Sequence, residues 1–170
     1  MSGPAGTPGV EVWLRGPLPD VIPELQPVVH SLMQVREEVA GVLPLPTEHL
    51  WTRPGGAASI GFHLLHLAGS LDRLLTYARG KSLNAAQRAA LEAEGRAEAS
   101  RRPEDLVRLA LEAIDAAIVQ VRATPLCTLD EGREVGRGRL PSTVLGLLFH
   151  AAEHAQRHSA QIITTRKVIG

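Results

Sequence analysis

The sequence predicts an all-α fold, a four-helix bundle, from three observations. Four long segments repeat apolar residues at the helical period of 3.6. Proline and glycine punctuate the gaps, as at Pro44 and Pro46, Gly55-Gly56, Gly80 and Gly95. The apolar content, 44% of the chain, is mostly Leu, Ala and Val, with only 3% aromatics. That mix suits helix-on-helix packing better than a sheet sandwich, which favours aromatic and β-branched residues. At 170 residues the chain reads as one domain with a real core.

Residues 1–10 are rich in Gly and Pro and read as a disordered tail, leaving 11–170 as a single helical domain. The segment 11–17 is apolar enough to lie on the body of that domain. A first helix is expected from about Ile22 to Val42, with Pro23 and Pro27 in its opening turns. Pro44 and Pro46 close it. A second helix is expected over 58–79. Its stripe includes Ile60, Leu64, Leu67, Leu71, Leu74 and Ala78, and Gly80 ends it. Asn84 reads as the N-cap of a short extra helix over 85–94, stopped by Gly95. A long helix follows from Pro103 to Arg122, where Glu104 and Asp105 complement the dipole of the first turn. Residues 123–140 read as a long irregular loop, and the last helix is expected from Pro141 to Thr165, capped near Ser142 or Thr143.

Composition excludes several function classes. The chain carries 18 basic and 18 acidic residues, so it lacks the electrostatic footprint of a nucleic-acid binder. Scarce aromatics argue against single-strand stacking. No stretch is long and apolar enough to span a bilayer, and the N-terminus lacks the charged start and apolar centre of a secretory signal. Cys127 stands alone, so no disulfide can form within the chain. These features predict a cytoplasmic protein acting on a small molecule.

The histidines carry the chemistry. His150, His154 and His158 recur at spacing four, which places them along one helical face. On the helical wheel His158 lies nearest the centre of the apolar face, His154 next, and His150 at its edge, so His154 and His158 make the better chelating pair. Upstream, His63 and His66 share the second helix. His63 lies nearer the apolar stripe, and the wheel excludes neither. Three imidazoles with one open position match a catalytic metal site rather than a closed structural one. Ala155 stands where the helical metalloprotease motif H-E-x-x-H needs its glutamate. His30 and His49 have no spaced partner.

Two motifs resemble the DinB/YfiT-like superfamily of metal-binding four-helix bundles. The first runs Ser59-Ile60-Gly61-Phe62-His63-Leu64-Leu65-His66-Leu67-Ala68-Gly69-Ser70. The second is His154-Ala155-Gln156-Arg157-His158-Ser159-Ala160-Gln161, similar to the family's H-x-x-x-H-R-G-Q ending. Ser159-Ala160 replaces the expected Arg-Gly. The resemblance covers roughly residues 20–165. It implies an up-down-down-up arrangement of the four helices. It also implies that His66, His154 and His158 hold a divalent transition metal, zinc or nickel above all. His63, His150 and Gln161 would then lie beside the ligands. A homodimer is implied as well.

The resemblance further implies a metal-dependent transferase that attaches a low-molecular-weight thiol, of the bacillithiol or mycothiol type, to small electrophiles. A metal-dependent hydrolase is the first alternative, weakened because neither motif offers a general base. A non-enzymatic, stress-associated metal-binding protein is the second. Arg133, Arg137 and Arg139 are candidates to bind carboxylates of a thiol or substrate, although a solvated basic loop explains them more simply. Trp13 and Trp51 are expected to pack under the bundle ends. Cys127 has no neighbour to make it a catalytic thiol. Asp72 and Arg73 read as surface groups or as neighbours of the ligands.

Overall fold

A computed structural model describes residues 9–96 and 100–170. Residues 1–8, most of the expected tail, lie outside the described residues. The helices are α1 (Gln26–Ala40), α2 (Ile60–Ala78), α3 (Ala85–Ala93), α4 (Pro103–Arg122) and α5 (Val144–Ile169). A two-stranded antiparallel hairpin, β1 (Gly132–Val135) and β2 (Leu140–Thr143), precedes α5.

The helix starts follow from local chemistry. The Ser59 hydroxyl accepts the Phe62 amide at the head of α2. Asn84 and Gln87 form a reciprocal capping box on α3. Thr143 accepts the Gly146 amide at the head of α5. Pro103 occupies the first turn of α4, where its missing N–H would have had no partner. The prolines near α1 push its start back. Residues Pro23–Leu25 form a 3-10 turn, and the α-helix begins only at Gln26.

α1, α2, α4 and α5 pack as a bundle in which α1 and α2 each touch both α4 and α5. Hydrogen bonds between helices fix the directions. Gln156 donates to the Ser31 carbonyl, Ser159 to Glu38, and Arg166 to the Gly41 carbonyl, so α1 and α5 run parallel. Gln120 of α4 donates to Leu75 near the end of α2, and those helices are parallel too. Arg36 reaches Asp115, while Arg122 near the end of α4 reaches Pro19 ahead of α1, which makes α1 and α4 antiparallel. His63 meets His158 and His66 meets His154, so α2 and α5 are antiparallel. The order is up-down-down-up. Each diagonal step needs a long connection, 41–59 or 123–143.

The core is aliphatic. Leu32, Leu64, Leu67, Leu106, Ile114, Leu148 and Ile162 are fully buried, each contributing about 1.5–3 kcal/mol of transfer free energy. Ala110, Ala117, Ala151 and Ala155 are buried as well and let the helices approach closely.

The expectations for 123–140 and for Trp13 need correction. Part of the expected loop is ordered by the hairpin, with Gly132 facing Thr143 and Val135 facing Leu140. Four-residue strands are too short to show alternation. β2 occupies 140–143, so α5 starts at Val144 and not at Pro141. Trp51 packs against the core at the first turn of α2, where a Cβ on Gly61 would lie 2.6 Å from its ring. Trp13 is 61% exposed, its indole N–H donating to Glu11. No helix among the described residues is long and apolar enough to cross a membrane.

Candidate metal centre

α2 and α5 bring four histidines into one seam. On each helix the two residues are one turn apart, so antiparallel packing pairs the first of one with the second of the other. His63 Nδ1 lies 2.9 Å from His158 Nδ1, and His66 Nε2 lies 3.0 Å from His154 Nε2. The ring centroids of His66 and His154 are each 4.6 Å from that of His158. One ring nitrogen each from His66, His154 and His158 lies within 4.8 Å of the other two. Among the described residues this is the group with metal-ligand spacing, and His63 is not part of it.

The donor set fits a divalent transition metal. Nitrogens sharing a tetrahedral zinc at ordinary bond lengths sit about 3.3 Å apart, close to the His66–His154 separation. Metal ligation requires neutral imidazole. Burial lowers His158 to about 3, with the charges of His66, His154 and His63 adding to the effect. Burial and then His66 bring His154 down to about 4. Burial lowers His63 too. The Nδ1 atom of His154 is buried without a hydrogen-bond partner.

His66 has a carboxylate behind it. Its Nδ1 lies 2.7 Å from Glu94 Oε2, so its Nδ1–H donates there and Nε2 keeps its lone pair toward the cluster. Glu94 follows the last turn of α3 and is 7% exposed. Arg73, 8% exposed, forms an ion pair with it. Burial raises the Glu94 carboxyl, but the hydrogen bonds from His66 and Arg73 outweigh that and hold it below the usual carboxylate value. The Phe62 ring stacks on His66 at 5.4 Å and 12°.

The remaining candidates are placed as follows. His150 is exposed on α5, 3.3 Å from Glu153, with its ring 5.4 Å from that of His154. Gln161 is exposed on α5. The three arginines are not brought to the histidines. Arg133 donates to the Ala78 carbonyl at the end of α2, about 18 Å along the helix from His66 at 1.5 Å per residue. Arg139 is paired with Glu134, and Arg137 is exposed. Cys127 is exposed and unpaired by any disulfide. His30 Nε2–H donates to the Gly16 carbonyl, and His30 is not part of the group with metal-ligand spacing.

Sequence reasoning missed Glu94. Arg73 carried a visible signal, since it lies two turns after His66 on one face of α2. Nothing in the local sequence ties Glu94 to either residue, because α3 must first dock on α2.

Comparison with known proteins agrees with this geometry. A family model described as the DinB superfamily matches residues 31–162. The structure of YfiT from Bacillus subtilis, described as a probable metal-dependent hydrolase with an unusual four-helix bundle topology, superposes with a TM-score of 0.63 at 16% identity, covering 91% of this chain and 93% of that one. That likeness is one of fold. No curated protein matches the sequence. With the family match spanning most of the chain, and the bundle and the histidine cluster both in place, the protein belongs to the DinB superfamily.

Proposed function

We propose that this protein is a metal-dependent transferase that attaches a low-molecular-weight thiol, of the bacillithiol or mycothiol type, to small electrophiles. The observation that carries the reading is the convergence of His66, His154 and His158, whose ligand nitrogens lie within 4.8 Å of one another. These three residues would hold the ion. A divalent metal bound there would lower the pKa of a thiol at its open position and so supply thiolate near neutral pH.

The protein groups have distinct tasks. His154 and His158 stay unprotonated at neutral pH because burial disfavours their charged forms. His66 offers Nε2 while Glu94 accepts its other ring proton. The Phe62 ring lies nearly parallel to that of His66 and packs beside it.

The transferase reading is preferred over hydrolysis because of what the carboxylates are doing. Hydrolysis needs a base to take a proton from water. Glu94 is already engaged by His66 and Arg73, and Glu153 by Arg157. A thiol needs less help, since its own pKa is much lower than that of water. Hydrolase activity is the second reading, favoured by the fold likeness to YfiT and its description.

The test is a paired assay on metal-loaded full-length protein. One arm offers bacillithiol, mycothiol or glutathione with a chromogenic aryl halide. The other offers nitrophenyl esters and amides. Metal-dependent thiol transfer that disappears in His154→Ala is expected. Ester or amide turnover with no thiol transfer would replace the first reading by the second.

A further inference from the structure

We propose that Glu94 is the positioning carboxylate of the metal centre: it holds His66 in the tautomer and orientation that bind the ion, and so sets metal affinity. The inference rests on the metal reading above and deepens it.

A neutral imidazole carries one N–H. With Glu94 Oε2 at 2.7 Å from Nδ1, the proton is held on Nδ1. The lone pair is then on Nε2, the nitrogen that lies 3.0 Å from His154 Nε2. Without the carboxylate the proton is free to move to Nε2 and block it. Metal-ligating histidines are commonly oriented in this way, and loss of the partner costs about 10–100-fold in metal affinity.

The surroundings of Glu94 are built for that task. A buried ion pair is weak evidence for stability, since apolar residues of similar size usually stabilise as well or better. Yet Glu94 and Arg73 are both buried and bonded twice, the second contact being Arg73 Nη2 to Glu94 Oε2 at 3.3 Å. Gly69 lies between His66 and Arg73 on the same stripe of α2. A Cβ there would collide with Glu94 Oε1 and sit 2.7 Å from Arg73 Nη1. A glycine inside a helix is unfavourable by about 1 kcal/mol relative to alanine, and here it makes the room the carboxylate occupies.

The short helix α3 delivers the group. Near its start, Gln87 donates to Asp72 Oδ2 at 2.9 Å and to Thr76 Oγ1 at 2.8 Å on α2. Past its end, Glu94 meets His66 and Arg73. The helix is thus fastened at both ends along α2, with the carboxylate opposite the ring.

The test measures Zn²⁺ dissociation constants of the full-length protein by chelator competition, for wild type, Glu94→Gln, Gly69→Ala and His66→Ala. Gly69→Ala removes no charge and no ligand, and it displaces Glu94 only by steric pressure. A purely structural role would not change the affinity of the folded protein. Nitrogen-correlated NMR of the metal-free imidazoles provides a second readout. Both Glu94→Gln and Gly69→Ala are expected to weaken Zn²⁺ by about 10–100-fold, and His66 is expected to shift from the Nδ1–H form to a mixture of tautomers. Zn²⁺ affinity within about twofold of wild type in both variants, alongside loss in His66→Ala, would overturn the role of Glu94 and leave the metal reading standing. Wild-type protein that binds no Zn²⁺ would overturn the metal reading and this inference with it.

Discussion

The histidine seam and the hairpin end of the bundle are both polar, and they differ in what their polar groups have left to offer. At the hairpin, a cleft of 810 Å³ runs beside Arg133 and Arg139. Their donors are already in use. Arg133 bonds the Ala78 and Gly132 carbonyls and Glu131, and Arg139 is bidentate on Glu134. In the seam, one ring nitrogen each of His66, His154 and His158 converges within 4.8 Å of the other two, and the Glu94 carboxylate sits behind His66. A cleft whose arginines are committed to carbonyls and carboxylates is a fastening. A tight cluster of imidazole nitrogens bonded only to one another is a place for an ion.

That contrast can be broken most directly by removing ligands. His66→Ala, His154→Ala and His158→Ala are each expected to reduce bound metal from about one equivalent to near none, because two imidazoles hold an ion far less tightly than three. Elemental analysis of the purified variants reads this out. Stoichiometric metal in all three would sink the assignment of the seam.

The next effect is thermal. Metal at a hundredfold excess over its dissociation constant stabilises the native state by about 2.7 kcal/mol, roughly 5–10 °C in Tm for a chain of this size. Chelation should therefore lower the wild-type Tm by that amount and leave that of His154→Ala unchanged. An equal fall in both would mean that the metal stabilises from elsewhere.

A smaller effect is expected from pH on the metal-free protein. The pKa values of His154 and His158 in the fold, about 4 and about 3, lie below the ordinary 6.5. On acidification the unfolded chain therefore takes up protons first. The stability these residues contribute is present above about pH 6.5 and is lost as pH falls toward their folded values. Urea unfolding across pH 7.5 to 4.5 should show a steeper decline in wild type than in a His154→Gln, His158→Gln double variant. Parallel curves would contradict the burial argument.

The smallest effect belongs to the hairpin. Arg133→Ala is expected to lose about 1 kcal/mol through the hydrogen bond to Ala78, seen as a Tm shift of a few degrees, with Zn²⁺ affinity unchanged. A tenfold loss of metal affinity would mean that the two regions communicate.

Much of this molecule was readable in its residues. The heads of α3 and α4 fall where Asn84 and Pro103 place them, because a cap or a first-turn proline acts within a few bonds. The buried stripe of α2, from Ile60 through Leu64, Leu67 and Leu71, follows from periodicity alone. The hairpin escaped notice because strands of four residues carry too little pattern. The wheel also ranked His63 above His66, and burial agrees, since His63 is the more enclosed of the two. Burial and ligand geometry are different properties. His63 turns its nitrogen to His158, while His66 reaches the common centre.

The sequence by itself determined which faces of the helices are apolar, where α3 and α4 start, and which histidines share a turn, since each depends on neighbours within about four residues. The tertiary structure alone decided that α2 and α5 run antiparallel, that His66 meets His154 from 88 positions away, and that Glu94 stands behind His66. Those choices depend on how four apolar stripes bury one another at once, and no local pattern encodes that solution.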